Sequence, residues 1–205
     1  MRINNSTFFL FVLLLFSATQ TQAITATTKL VSLLKNINTI QGRFTQTIYD
    51  KDNNALAISK GIFMLQRPNR FHWQEETPMQ QLTIANGKNI WFYQPDLQQV
   101  TVVSMFRHNQ QTPLAILSGS TDVLNKNYSI TQPDSHHFIL LSKMNNSAFR
   151  CIELVFIGNK IQQMILFDKL GQKTIVDFQQ IKLNYAIAAD KFQFTIPKNV
   201  DVIHR

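Results

Sequence analysis

Residues 61–74 read GIFMLQRPNRFHWQ. A strand-like apolar run stops at the pair Arg67-Pro68 and resumes with two aromatics spaced two apart, Phe71 and Trp73. Pro68 has no N–H to give a ladder, so it belongs at a strand start or edge. Residues two apart in a strand share a face, so Phe71 and Trp73 point together and His72 points away. The stretch predicts two strands that both bury a face, with an arginine between them that has to be accounted for.

Strand signals continue on both sides. Upstream lie GRFTQTIYD and, after the polar turn DKDNN, ALAISKGIFMLQ. Downstream come QQLTIA and KNIWFYQ, joined by Asn86-Gly87, a strong hairpin pair. QQVTVVS follows the Pro95-Asp96 turn. A short helical piece, TPLAILSG, with Pro113 near its start, breaks the rhythm. NYSITQ, HHFILLS, RCIELVFIG, KIQQMILFDK and KTIVDFQQIKLN resume it, with turns at Gly158-Asn159 and Leu170-Gly171, and DKFQFTIP closes the chain. Ahead of all these, Leu30, Leu33, Leu34, Ile37 and Ile40 repeat at helical spacing, which predicts an amphipathic helix over 25–40 capped by Thr27 or Thr28. The pattern predicts a mainly β fold of about eleven strands with short helices, built on one large, curved, antiparallel sheet.

The chain has 205 residues, and its first 23 have the layout of a secretory signal peptide. Arg2 precedes an apolar core from Phe8 to Phe16, too short to span a bilayer, and a polar stretch ends at Ala23. The expectation is cleavage after Ala23, export, and one domain over 24–205. No cysteine follows the apolar core, which argues against a lipid-modified leader. Cys151 is the only cysteine, so no intrachain disulfide forms and the core must hold the domain alone. The formal charge of +8 is scattered without a basic block, against a nucleic-acid partner.

Of 16 phenylalanines, four leave with the leader, and the rest join Trp73 and Trp91. Trp91 and Tyr93 share a face of their strand, as do Leu82 and Ile84. Two readings of these aromatics stand: an ordinary core, or the wall of a cavity for an apolar ligand. Catalytic motifs are missing: there is no Gly-rich phosphate loop, GxSxG or HExxH. His136 and His137 are adjacent and cannot easily share a metal across a strand. The expectation from the residues is that the chain is not an enzyme and holds no metal.

The stretch Gly61–Val102 resembles the LolA family of outer-membrane lipoprotein carriers. The residues that carry the likeness are Phe63, Arg67-Pro68, Phe71-x-Trp73, Pro78, Asn86-Gly87, Trp91-x-Tyr93 and Gln99-Val100-Thr101. It extends to FTQ at Phe44–Gln46, TPLAIL at Thr112–Leu117 and AADKFQFTIPKNVDV near the end, and is weakest from Thr121 to Ile175. The resemblance implies an incomplete, half-open antiparallel β-barrel with a helical lid over its concave apolar face. It implies a monomeric periplasmic carrier, without cofactor, that takes acylated lipoproteins from an ATP-driven inner-membrane extractor and delivers them to an outer-membrane lipoprotein acceptor. It places the lid-contacting arginine at Arg67. On this reading Phe44, Phe63, Phe71, Trp73, Leu82, Ile84, Trp91 and Tyr93 line the acyl-chain cavity. Leu30, Leu33, Leu34, Ile37, Leu114, Ile116 and Leu117 belong to the lid. The alternatives are a related half-barrel that binds or senses another periplasmic lipid, and an enzyme on a β scaffold.

Overall fold

The computed structural model describes residues 25–105, 114–119 and 121–204. The leader and Pro113 lie outside the described residues. Twelve strands form one sheet: β1 Thr39–Tyr49, β2 Ala55–Gln66, β3 Arg70–Thr77, β4 Gln81–Asn86, β5 Asn89–Gln94, β6 Gln99–Ser104, β7 Tyr128–Thr131, β8 His137–Ser142, β9 Phe149–Ile157, β10 Lys160–Asp168, β11 Lys173–Leu183 and β12 Asp201–His204. Their order is β12-β6-β5-β4-β3-β2-β1-β11-β10-β9-β8-β7, so the sheet is open with β12 and β7 at its edges. Neighbours are antiparallel except β12, which joins β6 in parallel. The three helices among the described residues are α1 Ala26–Lys35, α2 Leu114–Ser118 and α3 Asp122–Asn127.

The turns follow their residues. Gly87 takes φ +93° between β4 and β5, as the Asn-Gly signal requires. Gly61 is demanded by close approach: a Cβ there would lie 1.8 Å from the Gln74 carbonyl oxygen. Here β2 pairs with β3 across a bulge that sets Lys60 against Thr77 and Gly61 against Glu75.

Alternation along the strands sorts the apolar residues onto two faces. The inner face, which carries the helices, runs from Ile40, Phe44, Phe63, Leu65, Phe71 and Trp73 to Val176, Phe178, Met164, Leu154, Phe138 and Leu140, all buried. Leu30 and Leu34 of α1, Ile116 and Leu117 of α2 and Leu124 of α3 join them in one core. The outer face of β3–β6 has a smaller cover. After β11 the chain crosses it, with a 3-10 turn at Ala189–Phe192, before adding β12. Phe192 is fully buried, and Phe194 packs against Trp91 and Tyr93, with centroids 6.3 and 5.4 Å apart. His72 Nδ1 lies 2.9 Å from the Lys191 carbonyl oxygen; a carbonyl only accepts, so the proton sits on Nδ1.

Three expectations change. The first helix stops at Lys35, is capped by the Thr25 hydroxyl rather than Thr27 or Thr28, and leaves Ile37 in the connection and Ile40 in β1. Asn184 explains the stop. Its side chain accepts from the Asn38 N–H and donates to the Asn36 carbonyl, drawing the chain out of the helix. DKFQFTIP is a 3-10 turn and a strap that crosses the outer face, where Phe192 is buried and Phe194 packs on Trp91 and Tyr93. The twelfth strand comes later, from Asp201–His204.

Gly61→Ala is expected to cost about 1–3 kcal/mol because the methyl meets rigid backbone. Phe192→Ala is expected to cost about 3–5 kcal/mol through the lost plug. Urea unfolding followed by tryptophan fluorescence measures both.

Candidate functional site

The inner face is built around Trp73. Its ring stacks on Phe44 at 3.7 Å between centroids with planes 22° apart, and lies 6.0 Å from Phe63, which in turn lies 5.0 Å from Phe178. Register explains the gathering: β1 sets Phe44 opposite Gly61 and Phe178, and β2 sets Phe63 opposite Trp73 and Leu65 opposite Phe71. Gly61 leaves room beside Phe44 for the indole. α1 presses Leu30 and Leu34 onto this face, with Leu33 half-buried; α2 brings Ile116 and Leu117, with Leu114 at its edge.

Four residues expected on this wall face the other way. Ile84 stands opposite His72 and Trp91, and Leu82 opposite Gln74 and Tyr93. His72 and Gln74 alternate with Phe71 and Trp73, so Leu82, Ile84, Trp91 and Tyr93 lie on the outer face, under the carboxyl-terminal strap. The inner face continues instead through Thr83, Ala85, Ile90, Phe92 and Val103. Sequence reasoning also passed over the second half of the wall, Phe138, Leu140, Ile152, Leu154 and Phe156. Its signal was there in the two-residue spacing of HHFILLS and RCIELVFIG.

The Arg67-Pro68 turn is where sheet and helices are tied. Arg67 Nη1 donates to the Gly119 carbonyl oxygen just past α2, at 2.5 Å. The Asn69 N–H donates to the Ser118 oxygen, and the Arg67 N–H donates to the Asn38 oxygen beyond α1. Helix-end carbonyls lack donors of their own, which makes them ready acceptors. Asn69 takes φ +61°, a conformation asparagine tolerates better than most residues, and this turns its N–H toward α2. Arg67 is not fully satisfied. Its Nε and Nη2 are buried without hydrogen-bond partners among the described residues, as is Asn69 Oδ1. Burial pushes the guanidinium down to about 10, so it stays charged at neutral pH.

Ser59 Oγ is likewise buried without a partner among the described residues, whereas two charged pairs are satisfied locally. Arg43 pairs with Glu76 at 2.6 Å, and His137 Nε2 lies 2.9 Å from Glu153. Burial and the nearby Glu153 carboxylate push the Cys151 thiol up, so it is a poor nucleophile. Among the described residues no group of three or more His, Cys, Asp or Glu is placed to hold a metal. Beside α1 a pocket of about 460 Å³ opens between the helix and the turns of β7–β8 and β9–β10.

Comparison with known proteins agrees with this geometry. The family model described as "Outer membrane lipoprotein carrier protein LolA" matches residues 35–195. The outer-membrane lipoprotein carrier protein of Pseudomonas aeruginosa PAO1 is 34% identical over 181 residues, covering 87% of each chain. That of Pseudomonas syringae pv. tomato is 36% identical over 178 residues, covering 85% of this chain and 86% of its own. Among solved structures, an uncharacterized conserved protein from Thermus thermophilus superposes with TM-score 0.53 at 12% identity, over 86% of this chain and 98% of its own. A LolA superfamily protein from Nitrosomonas europaea gives 0.50 at 11%, over 84% and 99%, a likeness of fold. With an aromatic open sheet under short helices and matches over most of its length, this chain belongs to the LolA family of outer-membrane lipoprotein carrier proteins.

Proposed function

We propose that the protein is a monomeric, non-enzymatic periplasmic carrier. It shelters the acyl chains of lipoproteins released by an ATP-driven inner-membrane extractor and delivers them to an outer-membrane acceptor. Its leader, residues 1–23, is removed on export. The observation that carries the reading is the inner face itself: one apolar surface from Ile90 to Phe138, covered among the described residues by three short helices and tied at the Arg67-Pro68 turn.

The energetics ask for such a device. A ~16-carbon chain hides of order 10 kcal/mol of apolar surface at about 0.8 kcal/mol per methylene. A carrier that bound several chains in a permanently open, greasy trough would hold them too tightly to give them up. Here the helices must be lifted before the wall is reached, and that cost is subtracted from affinity. Phe44, Phe63, Phe71 and Trp73 are the wall. Leu30, Leu33, Leu34, Leu114, Ile116 and Leu117 are the lid side, with Ile37 beside it.

Arg67 is the latch. Its bond to Gly119 favours the closed lid, and its unpaired buried N–H groups keep that preference modest. Removing it makes opening cheaper, so cargo binds more tightly and leaves more slowly.

Arg67→Leu is expected to fold and to load lipoprotein. It is expected to hand lipoprotein to the acceptor about 10–100-fold more slowly, the factor matching a charged hydrogen bond of about 1.5–3 kcal/mol. A transfer assay with purified acceptor reads this, and an unchanged rate sinks the latch. Mass spectrometry of protein purified from the periplasm tests the cargo. Intact acylated lipoprotein is expected; phospholipid alone would instead favour a half-barrel for another lipid.

A further inference from the structure

We propose that the first acyl chain loads beneath the amino-terminal half of α1, through the pocket between that helix and the β7–β8 and β9–β10 turns. In doing so α1 swings on a hinge at Asn36–Asn38. This rests on the carrier reading above.

Hydrogen bonds to α1 are lopsided. At its carboxyl end, Asn184 Nδ2 donates to the Asn36 oxygen at 2.9 Å, Asn184 Oδ1 accepts from the Asn38 N–H at 2.8 Å, and the Arg67 N–H donates to the Asn38 oxygen. At the amino end, Thr25 and Thr28 bond only within the helix. Among the described residues no hydrogen bond joins residues 25–35 to the sheet or to another helix. Leu30 at the middle of α1 and Leu34 in its last turn hold the helix down through packing alone, and neither lies in its first turn. Apolar contact is non-directional and can be given up gradually, whereas the bonded end is fixed. A helix so held pivots about its carboxyl terminus and gapes at its amino terminus.

The pocket lies beside α1, against Thr28 and Lys29 toward the end that gapes and Ser32 and Leu33 one turn further on. Its volume of about 460 Å³ falls within the ~300–1,000 Å³ typical of small-ligand sites. Phe138 and Leu33 line it, and both also pack into the core, so the apolar lining of the pocket is continuous with the interior. Its rim carries Lys29, Ser32 and Gln132, whose side chains have no hydrogen-bond partner among the described residues. All three are donors. A chain held by an ester or amide linkage is apolar along its length with a carbonyl acceptor at its head, the complement of an apolar lining and a donor rim. At the corner where α1 and α2 end, the bonds of the Arg67-Pro68 turn tie the chain, so an acyl chain arriving there would have to break them. At the pocket it breaks none, and the latch is met afterwards.

The test uses the full mature chain with Cys151→Ala, which removes the only native cysteine. Thr28→Cys and Ser135→Cys, on opposite sides of the pocket, are bridged with a short, reductant-cleavable bis-maleimide. Loading of a fluorescent triacylated lipopeptide is then timed. The bridge is expected to slow loading at least tenfold, and cleavage to restore it. Ser32→Trp, which fills the pocket, is expected to slow loading about tenfold with unchanged thermal unfolding. Wild-type loading rates in both the bridged protein and Ser32→Trp overturn this route while leaving the carrier reading intact. If the unmodified protein takes up no lipopeptide, the carrier reading fails and the route with it.

Discussion

Leu30 and Leu34 pressed onto the aromatic face of the sheet are the contact on which the rest depends. A ten-residue helix has little stability of its own in water. The face beneath it, with Phe44, Phe63, Phe71 and Trp73, would be a large bare apolar patch and a site of aggregation if left open. Each half makes the other tolerable. The arrangement is stable when shut without an intrachain disulfide, since the single cysteine cannot pair within the chain. Whatever displaces the helix must offer the face an equivalent apolar surface.

The polar ties around that contact set where movement is allowed. Asn184 reaches both sides of the α1–β1 connection, and Asn38, Ser118 and Gly119 all meet the β2–β3 turn. The carboxyl ends of α1 and α2 are therefore gathered at one corner of the sheet. Arg67 sits at this corner with donors to spare. Its bond to Gly119 favours the closed state, and its unpaired buried donors keep that preference modest, which suits the opening proposed above.

Much of the architecture was legible in the chain. The two-residue spacing of Phe71 and Trp73, the Asn86-Gly87 turn and the helical leucines each reported local geometry faithfully. What could not be read was how strands pair across less regular connections. Leu82 and Ile84 share a face with Trp91 and Tyr93, as expected. Whether that face is the one bearing Trp73 depends on the register set by residues 78–80, and a one-residue slip reverses it. The strap misled for a related reason. Phe192 and Phe194 alternate as in a strand, but the surface they meet comes from β3–β6, about a hundred residues earlier. Arg67 was singled out by resemblance, and its partners lie near residues 38 and 119, far apart in the chain.

The place of β1 in the sheet has one more consequence. It lies between β2 and β11, so Phe44 meets Phe178 only after some 130 intervening residues have been made. A ribosome delivers the polypeptide amino-terminus first, and the early hairpins from β1 to β6 must wait with one flank unpaired until the eleventh strand emerges. Long-range pairing of this kind folds slowly. During biosynthesis the half-made chain displays the same oily surface that the finished molecule keeps covered, so a holding factor that binds extended apolar segments is most needed before β11 arrives.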